Sequence, residues 1–119
     1  MVVADFEAGL GTVMRLDAPV DVVVVVVEPT AKSLEVGRRA VETVQAAGLG
    51  RVVVTANRVR DEDDVRRVRD AFPGLEPFLV PDDPAIVEAE RCGSAPLDAA
   101  PGAPAIRALV ALAESLLPR

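Results

Sequence analysis

Six consecutive valines, Val22 to Val27, bounded by Pro19 and Pro29, constrain the fold of this chain more than any other feature. Six residues are too few for a self-sustaining helix, and β-branched side chains favour extended backbone. A run that is apolar on both faces has to be covered on both, which predicts a central strand of a parallel sheet with helices above and below. The following residues supply such covers. From Thr30 the apolar period becomes helical: Leu34, Ala40, Val41 and Val44 share one stripe, Glu35, Arg38, Arg39 and Glu42 face water, and Gly48 stops the helix.

The alternation continues. Arg51 to Asn57 reads as a second buried strand, and Asp61 to Phe72 as a charged helix with Val65, Val68 and Phe72 inward, closed by Pro73 and Gly74. Pro77 to Val80 reads as a third strand, followed by a brief helix from Pro84 to Arg91 and a loop from Gly93 to Pro104. The last helix, Ala105 to Leu117, places Ile106, Leu109, Ala113, Leu116 and Leu117 on one side. Val2, Val3 and Ala4 read as the end of a further buried strand that delivers Asp5 into a turn carrying Gly9 and Gly11. The expectation is one α/β domain spanning residues 1–119, with a mostly parallel sheet of about four strands joined by right-handed crossovers.

Composition narrows the chemistry. The net charge of −6 and the absence of Trp and Tyr oppose nucleic-acid binding, which needs clustered cations and stacking aromatics. There is no His and one cysteine, Cys92, so an intrachain disulfide is impossible, a metal site built from this chain alone is disfavoured, and a reducing cytoplasm is the expected compartment. Cys92 reads as a small apolar packing residue. The valine run is far short of the roughly 20 residues that span a bilayer, so no membrane partner is expected.

In a parallel α/β sheet, ligands bind beyond the carboxyl ends of the strands. The polar residues expected there are Asp5, Glu28, Asn57, Asp82 and Asp83. Each has a plain structural reading. Asp5 and Gly9 suit a solvated turn, and Asn57 after a strand suits a turn. Thr30 and Asp83 suit helix caps, the latter with Pro84 at the first helical position. Arg60 to Asp70, RDEDDVRRVRD, suits a solvated helical face laced with ion pairs.

Taken in order, VVADFEAG, VDVVVVVVEPTAKSLEVGRRA, VVVTANRV and FLVPDDPAIVEAERCGSAPL resemble the second half of the MinD/ParA class of P-loop ATPases. Within that class they look most like the CooC-like nickel-insertion ATPases of carbon monoxide dehydrogenase maturation. The resemblance covers residues 2 to about 117 and implies a partial P-loop NTPase fold, a Rossmann-like three-layer arrangement. It implies that Asp5, in D-x-x-A-G, holds the magnesium shell as the catalytic carboxylate, and that the Gly9 amide approaches the γ-phosphate. It further implies that Asn57 reads the adenine edge with Arg58 against the base, and that Pro81, Asp82 and Asp83 wrap the base. Glu28-Pro29-Thr30 matches a segment near the family's dimer face. Arg15 matches a family arginine, whereas Gly11 and Thr12 depart from the polar pair usual in CooC-like proteins.

No G-x-x-x-x-G-K-[ST] pattern occurs, and Lys32 in TAKSLE has no glycine before it. The resemblance therefore implies a chain without the phosphate-binding half. It would bind ATP or ADP with Mg²⁺ only in a complete assembly and would not hydrolyse ATP alone. The missing strand would leave an open slot, so a homodimer or a separate P-loop-containing half is expected as partner. The alternative is a non-enzymatic interaction module that keeps the fold without nucleotide. A phosphoacceptor receiver domain is opposed by Asn57 and by the lack of a late lysine.

Overall fold

The structure, a computed structural model, describes residues 1–5 and 20–117. Its elements are β1 (Val22–Val27), α1 (Ala31–Ala47), β2 (Arg51–Val59), α2 (Glu62–Ala71), β3 (Phe78–Pro81), α3 (Pro84–Arg91), α4 (Pro96–Ala99) and α5 (Pro104–Leu116). The three strands lie in the order β1-β2-β3 and both pairs are parallel, so the chain has the expected α/β architecture of a parallel sheet flanked by helices.

Among the described residues the sheet has three strands rather than about four. The strand expected at Val2–Ala4 is not formed: these residues lie outside regular structure, with Val2 and Val3 exposed. An isolated apolar trio has no ladder to join, and valine alone does not hold extended backbone in a sheet.

The central position also belongs to a different strand from the one expected. β2, not the valine run, is hydrogen-bonded on both sides, while among the described residues β1 pairs with β2 alone. Val25 and Val27 of β1 face the same way as Val54 and Ala56 of β2, and with Val41 of α1 and Val68 and Phe72 of α2 they build the main core. On the other face α5 packs against β3 and buries Ala105, Ile106 and Leu112. It stops short of β1, so Val26 stays 63% exposed. The inner side of α5 is accordingly narrower than its sequence suggests: Leu109 and Leu117 are exposed.

Local chemistry fixes the helix ends. Thr30 caps α1 by accepting from the Ser33 amide at 3.2 Å, and Gly48 ends it in the left-handed region at φ 60°. Asp61 caps α2 by accepting from the Asp64 amide at 2.9 Å. Asp64 corrects the reading of RDEDDVRRVRD as a wholly solvated face: it is 2% exposed and accepts from both the Arg60 amide (2.9 Å) and the Arg60 guanidinium (3.0 Å). Those two bonds hold its carboxyl below the usual carboxylate range. Cys92 is likewise corrected. It is exposed at the end of α3, where its thiol donates to Glu88 Oε1 at 3.5 Å, rather than packed. No helix among the described residues is long and apolar enough to cross a membrane.

Gly37 sits where α1 crosses closest to β1, and a Cβ there would run into the side chains of Val27 and Phe72. Both are nearly inaccessible and cannot yield. Alanine at 37 gains about 1 kcal/mol of helix propensity, but overpacking a full core costs ~1–3 kcal/mol. Gly37→Ala is expected to lower stability by about 1 kcal/mol, read as an earlier urea midpoint. A later midpoint would show that the approach of α1 to β1 is looser than described.

Candidate functional site

The site is built on an irregularity in β2. Val54 and Ala56 point into the main core, and regular alternation would send Arg58 there next. Instead the ladder to β3 shifts between Ala56 and Val59, and Arg58 takes a positive φ of 60°, unusual for a residue other than glycine. The bulge returns Val59 to the core and leaves the arginine outside. Meanwhile Asn57 stays on the α5 side of the sheet, beside the carboxyl end of β3.

The Arg58 guanidinium lies between the ends of the two flanking strands, with Nη1 3.6 Å from Glu28 Oε1 and Nε 3.6 Å from Asp82 Oδ1. All three side chains are substantially exposed, so the pairs orient the arginine more than they stabilise the fold. Glu28 is itself placed by the start of α1, where its amide donates to Ser33 Oγ at 2.9 Å.

Asp83 does more than the single cap expected of it. One carboxylate oxygen accepts from the Ala85 amide at 3.0 Å and the other from the Ala105 amide at 3.1 Å. One side chain thus joins the amino ends of α3 and α5, and its bond from Ala105 spans twenty-two residues of the chain. The bond from Ala105, and then that from Ala85, hold the Asp83 carboxyl below its usual range.

Between these elements lies a cavity of about 390 Å³. Asn57, Arg58, Pro81, Asp82 and Asp83 all border it, and Val80, Ile86, Leu109 and Leu112 give it an apolar wall. Thr55, two residues before Asn57 on the same face of β2, completes the wall; it is 2% exposed, and its hydroxyl has no hydrogen-bond partner. Thr55 did not stand out in the sequence, although a threonine ending a row of valines was a signal to question. The arrangement suits a flat, largely apolar group that makes a few hydrogen bonds at its edge.

The remaining expected site residues are placed differently. Asp5 is exposed, lies outside regular structure and does not border the cavity. Gly9, together with Gly11, Thr12 and Arg15, lies outside the described residues. Among the described residues no three His, Cys, Asp or Glu side chains cluster as a metal site.

No family model and no curated protein matches the sequence. Among solved structures the chain is similar to the MinD cell division protein of Aquifex aeolicus, with a TM-score of 0.61 over 81% of this chain and 43% of that one, at 21% identity. The fold is MinD-like. The chain spans less than half the length of that structure, and at this identity the likeness speaks for the fold alone.

Two predictions follow from the geometry. Glycine at 58 relieves the left-handed strain, whereas alanine keeps it and both lose the same exposed ion pairs. Arg58→Gly should thus be more stable than Arg58→Ala by about 1 kcal/mol in denaturant melts, and equal midpoints would remove the argument for strain. For Asp83 the folded pKa is depressed, so its stabilising bonds are fully present above its ordinary value of 3.8 and are lost as pH falls below it. Asp83→Asn should unfold earlier at neutral pH, because its NH2 group cannot accept from one of the two backbone N–H groups that both carboxylate oxygens serve, and should show a shallower loss of melting temperature from pH 5 to pH 2 than the wild type. Parallel acid limbs would sink this role.

Proposed function

We propose that the chain forms the base-reading side of an adenine-nucleotide site in a MinD/ParA-type ATPase assembly. The supporting observation is the gathering of Asn57, Arg58 and Pro81 to Asp83 around one cavity at the carboxyl ends of β2 and β3. The adenine ring would lie against the apolar wall, with the Asn57 amide donating to and accepting from its edge, as one side-chain amide can. Arg58, held between Glu28 and Asp82, would flank the ring. Asp83 would act through the backbone it fixes, since both of its oxygens are engaged.

The triphosphate grip would come from a P-loop-containing half, whether another part of a longer chain or a separate one. In that complete assembly ATP hydrolysis would drive a conformational switch, with Asp5 in the magnesium shell and the Gly9 amide near the γ-phosphate. The chain by itself would not hydrolyse ATP.

A second reading, an interaction module without nucleotide, draws on β1. Among the described residues its outer edge is unpaired and Val26 is exposed beside it, which suits pairing with a second copy or with a missing half. Adenosine separates the two readings, because a base site does not need a phosphate grip. The wild type should bind adenosine weakly, with amide shifts at residues 55–58 and 80–87 in an NMR titration, and Asn57→Ala should weaken binding roughly tenfold. A protein that ignores adenosine yet self-associates in sedimentation would favour the module.

A further inference from the structure

Among the described residues the Thr55 hydroxyl has no hydrogen-bond partner, and its surroundings explain why. On one side its register neighbour is Val26 and on the other Phe78, neither of which offers a polar side-chain atom. At Thr55 itself the strand is paired on both edges, to Val26 of β1 and Phe78 of β3. A buried hydroxyl left without a hydrogen bond is destabilising relative to a methyl of the same shape. The three residues before it, Val52 to Val54, are valines in the same strand, so valine is at home in this backbone. A threonine here needs a partner that the described chain does not supply, and the side chain stands in the wall of the 390 Å³ cavity.

From this cavity wall and its unpartnered hydroxyl we infer that Thr55 is a second base-reading group, forming a hydrogen bond to the purine held by Asn57. The inference rests on the adenine reading above and adds to it a residue and a specificity role. Thr55 and Asn57 are two residues apart on one face, roughly 6.6 Å along the strand, so one bicyclic base can meet both. A hydroxyl both donates and accepts, so it can pair with either a donor or an acceptor at the edge of an occupant. The occupant would then satisfy an orphan group in a water-poor wall, which favours a heterocycle with polar ring atoms over an apolar ring of the same size.

The test uses the full chain, with adenosine as the probe and NMR titration for affinity. Thr55→Val keeps shape and removes the hydroxyl, and should weaken adenosine roughly tenfold. Thr55→Ser keeps the hydroxyl and should stay within about threefold of the wild type. Circular dichroism confirms that both variants are folded. Unchanged affinity in Thr55→Val beside a loss in Asn57→Ala overturns the role of Thr55 and leaves the adenine site standing. A loss in Thr55→Ser as large as in Thr55→Val overturns it too, since packing rather than the hydroxyl would then be responsible. Failure of the wild type to bind adenosine overturns both readings together.

Discussion

The double pairing of β2 is the constraint from which the rest of the structure follows. A strand hydrogen-bonded on both edges cannot slide in register without breaking two ladders, so its side chains are assigned to faces with little freedom. Val54, Ala56 and Val59 meet the helices of one layer, and Thr55 and Asn57 meet those of the other. The bulge is the single departure from alternation. It lets one strand end with a core residue while a polar pair, Asn57 and Arg58, remains at the surface where three strands finish.

Around that end, two charged groups do different work. Arg58 spans exposed carboxylates at contacts of 3.6 Å, an arrangement that directs a cation without holding it tightly. Asp83 is committed to backbone amides of two helices and contributes shape rather than a free charge. The cavity between them is consequently acidic at its rim and apolar at its wall. That combination suits the uncharged base of a nucleotide better than its phosphates, which need a cluster of amides and cations.

Much of this was legible in the sequence. The caps Thr30, Asp61 and Asp83 and the stop at Gly48 were readable because a cap depends on a few adjacent residues. Apart from the short helix α4, which lies in the segment read as a loop, the helices and strands between Val22 and Leu116 were readable because apolar period is a local property. The gathering of Asn57, Arg58 and Pro81 to Asp83 was reachable once the strands were taken as parallel, since parallel strands finish at one edge. Burial of Asp64 was not legible, because charge patterning cannot tell a carboxylate facing water from one turned back on the arginine before its own helix. Nor was the bond from Ala105 to Asp83, which joins segments far apart along the chain.

By itself, then, the sequence determined the alternation of elements, their ends and the polar residues that stand at the strand ends, all of which follow from short-range periodicity and capping chemistry. Tertiary structure alone decided that Arg51–Val59 rather than the valine run lies in the middle of the sheet, that α5 leaves Val26 uncovered, and that the Thr55 hydroxyl is left without a partner. These are questions of which surfaces meet. Two strands that each carry a run of valines give similar local signals, and only the placement of their neighbours separates a centre from an edge.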